Sequence, residues 1–97
     1  MIFLISSVSA KEISSIKDNI IDIRSVEKYN NSHIPNAKNI PKVLLVTNHY
    51  KYLNKYDTYY IYCQYCKTSL QVCNYLSKLG YKVKNILGGY ESYLLEK

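Results

Sequence analysis

The stretch Tyr59-Tyr60-Ile61-Tyr62-Cys63-Gln64-Tyr65-Cys66-Lys67-Thr68 passes from an apolar run into a short polar loop, and a helical pattern from Ser69 to Leu79 follows it. The run is short, aromatic and β-branched, so Thr58 to Tyr62 reads as a buried strand. Cys63 therefore stands at a strand-to-helix turn. Backbone N–H groups of such a loop can turn inward around one sulfur atom, and the helix that follows presents the positive end of its dipole. Both effects favour a thiolate, the nucleophilic form of cysteine. Cys63 is the candidate catalytic residue, and Gln64, Tyr65, Cys66, Lys67, Thr68 and Ser69 form the candidate substrate-binding loop.

Working outward, strands alternate with helices. Ile20-Ile21-Asp22-Ile23 is a second short β-branched run, and Asn39-Ile40 and Val83 to Leu87 read as two more strands. A first strand is expected at Ile2 to Leu4. Ser9-Ala10-Lys11-Glu12 has the spacing of a capping box and opens a short helix; Ser25 caps another that ends at Asn30-Asn31-Ser32. His33-Ile34-Pro35-Asn36-Ala37 is a turn, in which a hydrogen bond from His33 is expected to hold the bend. Pro41 suits the first position of a helix from Lys42 through Val46, and Tyr50 to Asp57 is a polar connection with room for one more helical turn. In the helix after Cys63, Leu70, Cys73, Leu76 and Leu79 recur every three residues and are expected to form its buried face, with Gly80 as the stop. Gly88-Gly89 turns the chain into a last helix, Tyr90 to Lys97. The alternation predicts an α/β fold with a central, mainly parallel sheet covered by helices on both faces, whose ligands bind at the carboxyl ends of the strands. Asp22 and Arg24 share strand parity near that edge and are expected to pair or to brace the loop.

The chain has 97 residues, which suits one domain spanning residues 1–97, and its apolar fraction of 47% is enough for a core. Three cysteines make an odd number, so a disulfide framework is not expected, and reduced thiols point to the cytoplasm. Met1 to Ile5 is apolar, but no basic residue precedes it and it is shorter than a signal core, so a soluble protein that is not inserted in a membrane is expected. The net charge of +6 comes from scattered lysines and arginines, a pattern that does not point to nucleic acid. Cys63, Cys66 and Cys73, even with His33 or His49 added, match no ordinary zinc spacing; no metal and no cofactor is expected. Cys73 lies in the helical pattern as a core residue.

Taken together, Ile21-Asp22-Ile23-Arg24, Glu27-x-Tyr29, His33-Ile34-Pro35-Asn36-Ala37-x-Asn39-Ile40-Pro41, Tyr62-Cys63, Leu79-Gly80-Tyr81 and Leu87-Gly88-Gly89 resemble a single-domain rhodanese, in order and over nearly the whole chain. The resemblance implies a five-stranded parallel sheet. It also implies a sulfurtransferase in which Cys63 carries sulfur as a persulfide, taken from a small sulfur-containing anion such as thiosulfate or from a thiol persulfide. The acceptor would be a thiol or an acceptor protein. The loop departs from the family pattern Cys-Arg-x-Gly-x-Arg: Gln64 and Thr68 stand where the arginines would be, and Cys66 where the glycine would be. Lys67, the only full charge in the loop, is a point charge and does not reproduce a guanidinium fork, which makes thiosulfate the weaker donor. If the Cys66 position is left-handed, a non-glycine residue there costs roughly 1–2 kcal/mol. Cys63-x-x-Cys66 also makes Cys66 a possible resolving thiol. The alternatives are a sulfur carrier or protein-binding module without turnover, and a thiol redox protein. A phosphatase would need an arginine where Ser69 stands.

Overall fold

The computed structural model describes residues 6–96. The strands are β1 (Ser7–Val8), β2 (Ile20–Asp22), β3 (Lys38–Asn39), β4 (Thr58–Tyr62) and β5 (Lys82–Ile86). The helices are α1 (Val26–Asn31), α2 (Lys42–Thr47), α3 (His49–Tyr52), α4 (Lys67–Lys78) and α5 (Gly89–Glu96), with a 3-10 turn at Glu12–Ser15. The strands form one five-stranded sheet in the order β1-β5-β4-β2-β3, and every pairing is parallel. β4 lies at its centre. Parallel pairing needs a crossover between successive strands, and the helices that supply it shield both faces from water.

Side-chain alternation sorts the core into two layers. Ile21, Ile23, Tyr59, Ile61, Cys63 and Val83 point to the face covered by α2 and α4, where Leu45, Val72, Cys73 and Leu76 meet them. Ile20, Tyr62 and Ile86 point to the other face, against Ile13, Ile34, Ala37 and Tyr90. Tyr29 of α1 and Tyr93 of α5 pack at the margin of that second layer. Register then sets the site: Asp22 lies opposite Tyr62, so the residues that follow, Arg24 and Gln64, leave the same edge of the sheet side by side.

The expected strand at Ile2 to Leu4 lies outside the described residues, as does Lys97 at the end of the last helix. The first described strand is β1, on the small-residue stretch at Ser7–Val8. β3 begins one residue earlier than expected, and Pro41 caps α2 rather than sitting inside it. The segment after Ser9 is a 3-10 turn, in which Ser9 Oγ accepts from the Glu12 N–H at 3.1 Å. The expected inner face of α4 is corrected. Leu70 is 42% exposed and Leu79 37%, while Ser69, Val72, Cys73 and Leu76 are buried. A residue every three positions drifts by about 60° per step around an α-helix, so four such residues cannot share one face, whereas the i, i+3, i+4, i+7 set does.

Leu76→Ala should accordingly destabilise the domain by about 2–5 kcal/mol, the range for emptying a closed core site. Leu70→Ala, at a partly exposed position, should cost less than about 1 kcal/mol. Urea unfolding of the two variants reads the difference, and equal losses would contradict this packing.

Candidate active site

Cys63 leaves β4 with its side chain on the α4 face and is 7% exposed. The chain then reverses through Gln64 and Tyr65 to Cys66, whose φ of 86° and ψ of −15° are left-handed, and α4 starts at the next residue. That single left-handed residue turns the backbone N–H of Cys66 back onto the sulfur, 3.1 Å from Cys63 Sγ. The N–H of Ser69, in the first turn of α4, donates to the same atom at 3.2 Å. Two backbone donors and a helix N-terminus thus converge on one sulfur, an arrangement that matches an anion. The Cys63 thiol lies 3.4 Å from Ser69 Oγ, to which it can donate. The left-handed Cys66 also settles the conformational question raised by the sequence: a side chain occupies a backbone state that favours glycine, at a cost of roughly 1–2 kcal/mol.

The other carbonyl groups of the loop are held by the start of α5. The N–H of Tyr90 donates to Cys63 O at 2.9 Å, and that of Glu91 to Gln64 O at 3.1 Å. Gly89 makes this approach possible. A Cβ there would collide with Cys63 O and lie 2.8 Å from Gln64 O and 2.9 Å from Cys66 N, and its φ of 63° is itself left-handed.

Asp22 and Arg24 form a buried ion pair, with Nη2 2.7 Å from Oδ2 and Nε 3.1 and 3.0 Å from the two carboxylate oxygens. The same carboxylate accepts from the Arg24 N–H at 2.8 Å and from Tyr62 OH at 2.6 Å. Burial works against the Arg24 charge, but the hydrogen bonds and charge of Asp22 outweigh it and raise its pKa further. Tyr62 is pushed above the usual phenol range, first by burial and then by its bond to Asp22, so it remains a donor. Arg24 also donates to Ser32 O at 2.7 Å and to Gln64 Oε1 at 3.1 Å, and its guanidinium lies 4.3 Å from the centroid of the Tyr90 ring. Gln64 Nε2 in turn donates to Glu91 Oε1 at 2.7 Å. The first loop residue is thus clasped between an arginine and a glutamate.

A cleft of about 570 Å³ opens beside the sulfur, lined by Ile23, Arg24 and Ser25, by Lys28 and Lys42, and by Cys63 with its loop neighbours Gln64, Tyr65, Lys67 and Thr68. The lining carries four cationic side chains, Arg24, Lys28, Lys42 and Lys67, and no carboxylate. Of the expected loop residues, Gln64, Tyr65, Lys67 and Thr68 face this cleft, while Ser69 is fully buried beneath the sulfur. All three cysteines are free thiols; Cys66 is half-buried, and Cys63 and Cys73 are buried. His33 lies away from the cleft lining, its Nδ1 2.8 Å from Tyr29 O and its ring stacked on Tyr29. Lys28, Lys42, Glu91 and Asn85 also reach the site, and no motif of the sequence marks them. Only Asn85 carried a signal there, as a polar residue two positions from Val83 on an inward-facing strand register.

A family model described as Rhodanese-like domain matches residues 8–96. Over 81 residues, 82% of this chain, the sequence is 36% identical to a probable molybdopterin-synthase adenylyltransferase of Porphyra purpurea, of which that covers 21%. Over 76 residues, 77% of the chain, it is 33% identical to the putative sulfur carrier protein YrkF of Bacillus subtilis (strain 168), covering 40% of that protein. The chain thus spans less than half the length of these two curated relatives. Among solved structures it is similar to the human single domain sulfurtransferase TSTD1, with 26% identity and a TM-score of 0.80 over 94% of this chain and 96% of that one.

The third thiol is chemically different from the first. Burial, and then the neighbouring Cys63, push Cys73 up to about 12. In the folded protein at pH 7.5 iodoacetamide should therefore leave Cys73 unmodified, and urea should expose it to rapid labelling; mass spectrometry reads both. Because the folded value lies above the unfolded one, stability from this group is intact below about pH 9 and falls as the pH rises toward 12. Cys73→Ala should flatten that alkaline loss.

Proposed function

The chain belongs to the rhodanese-like domain family, and on that premise we propose that it is a sulfurtransferase whose Cys63 carries a sulfane sulfur as a persulfide. The observation that carries the proposal is the convergence of the Cys66 and Ser69 N–H groups on Cys63 Sγ at the floor of an open cationic cleft. The Cys63 thiolate attacks the sulfane sulfur of the donor. The S–S bond of the donor breaks, and its electron pair leaves with the departing thiolate or sulfite. Cys63 then holds the outer sulfur toward the cleft while its own sulfur stays beneath the two amides. An acceptor thiolate attacks the outer sulfur and departs as the new persulfide, which returns Cys63 as a thiolate. Resemblance to a sulfurtransferase of one domain supports this reading.

The donor that fits best is a thiol persulfide rather than thiosulfate. No arginine stands in the loop, Gln64 is engaged by Arg24 and Glu91, and the lining lysines offer charge without a fork. The cleft is also far larger than a small inorganic anion needs. The 33% identity to a putative sulfur carrier supports a second reading, in which sulfur is loaded once and relayed to a protein acceptor without turnover on small thiols. A persulfide donor and an acceptor thiol, both in excess over the protein, separate the two: an enzyme passes many equivalents of sulfur to the thiol, a carrier about one. The cytoplasmic location expected from the odd number of cysteines is part of the same proposal; among the described residues no helix is long and apolar enough to cross a membrane.

Intact mass after exposure to glutathione persulfide should show a gain of one sulfur, with a smaller gain from thiosulfate, and Cys63→Ser should gain none. Sulfur uptake by Cys63→Ser would overturn the assignment. Thr68→Arg should raise thiosulfate turnover on the order of tenfold, equivalent to ~1.4 kcal/mol of transition-state binding. Gln64→Arg should raise it less, since it removes the acceptor for Arg24 and sets a second cation beside it.

A further inference from the structure

Asn85 is a fully buried amide on the sheet face that Val83, Ile61 and Cys63 otherwise make apolar. Its Oδ1 accepts from Ser69 Oγ at 2.6 Å, while its Nδ2 has no hydrogen-bond partner among the described residues. Ser69 is fully buried as well. Its Oγ lies 3.4 Å from Cys63 Sγ and 3.0 Å from Cys66 O. A hydroxyl carries one proton, so it serves one of its acceptors at a time. A buried amide donor without a partner is destabilising, and the same heavy atoms permit a second arrangement that uses it.

We infer that Asn85 and Ser69 form a reversible hydrogen-bond relay that serves the Cys63 sulfur both with and without its proton, Asn85 acting as a positioning residue through Ser69. With the thiol protonated, Cys63 S–H donates to Ser69 Oγ, and Ser69 O–H donates to Asn85 Oδ1. When the thiol has released its proton to water, it has nothing left to donate. The Asn85 amide then turns end for end, its Nδ2 donates to Ser69 Oγ, and Ser69 O–H donates to the thiolate. The sulfur anion thereby gains a third donor beside the N–H groups of Cys66 and Ser69. No bond between heavy atoms forms or breaks, and the one proton exchanged goes to solvent. An amide is suited to this place because it offers a donor and an acceptor of nearly equal shape, which neither an apolar residue nor a carboxylate does.

The inference rests on Cys63 being the reactive thiol of the proposed sulfurtransferase, but its readout is the titration of that thiol, so sulfur transfer and the relay can fail separately. The charged and titratable groups around Cys63 are Arg24, Lys28, Lys42 and Lys67 along the cleft, Tyr65 and Cys66 in the loop, and Cys73 in α4. Glu91 stands one residue removed, beyond Gln64. All of them are unchanged in the variants below. The rate of iodoacetamide attack at Cys63, followed from pH 5 to 10 by fragment mass spectrometry, should rise with a midpoint about one pH unit higher in Ser69→Ala than in the unsubstituted protein. At pH values below both midpoints the rate should fall about tenfold in that variant. Asn85→Leu should shift the midpoint in the same direction, and in a Ser69→Ala background it should add nothing. Unchanged midpoints in both single variants, or a full Asn85 effect in the double variant, would overturn the relay. A measurement on the unsubstituted fold guards against variants that misfold. The side-chain NH₂ resonances of ¹⁵N-labelled Asn85 should move with the Cys63 midpoint and stand still in Cys63→Ala; no movement in the unsubstituted protein would equally overturn it.

Discussion

The carboxylate of Asp22 is the point on which the carboxyl edge of the sheet is assembled. It is fully buried, and an isolated charge there would be untenable, so its oxygens are met by Arg24, the Arg24 N–H and the Tyr62 hydroxyl. Each partner reaches onward. Tyr62 OH accepts the N–H of Ile34 and so pins the proline turn. Arg24 reaches the carbonyl that ends α1, the Gln64 amide and the face of Tyr90. A buried pair of this kind adds little net stability over an apolar substitute, but losing either member strands the other, at roughly 3–5 kcal/mol. What it supplies is position. β2, β4, the reactive loop and α5 are held by one small set of oriented polar atoms, so the cysteine edge cannot shift without breaking them.

Much of this was legible in the residues themselves. Thr58–Tyr62 has the bounds read from its composition, because a run of aromatic and β-branched side chains ending at a polar loop admits few other conformations. The pairing of Asp22 with Arg24 followed from strand parity, and the end position of Cys63 from the alternation of strands and helices. Spacing by threes ignores the true pitch of the helix, so it points to Leu70 where the buried face of α4 carries Val72. Lys28 and Lys42 could not be found by inspection. They belong to two different helices, and only the order β4-β2-β3 carries both to the mouth of the cleft. Glu91 is separated by 27 residues from the loop amide it holds, with no local pattern to join them.

The electrostatics of the site differ from those expected of the loop alone. With its arginine positions filled by Gln64 and Thr68, the loop itself keeps one charge, Lys67, yet the cleft it faces is lined by cations from α1, α2 and the β2 edge. Arg24 is not a free clamp, since most of its donors are already engaged by protein oxygens. Lysines on flexible stems attract an anion without dictating its orientation. A cleft built this way discriminates by charge and size more than by the planar geometry of an oxyanion.

The contact between Gly89 and the loop has a consequence for how the molecule breathes. Backbone touches backbone there, with no side chain to act as a cushion, and the N–H groups of Tyr90 and Glu91 close on the carbonyls that flank the reactive turn. The last helix is short, running only from Gly89 to Glu96, and a short helix opens locally at lower free-energy cost than the central strands. An opening that breaks the first turn of that helix therefore releases the cysteine loop in the same event. Proton–deuterium exchange at those two amides becomes a clock for the integrity of the sulfur site, running ahead of the slower exchange from the central strands.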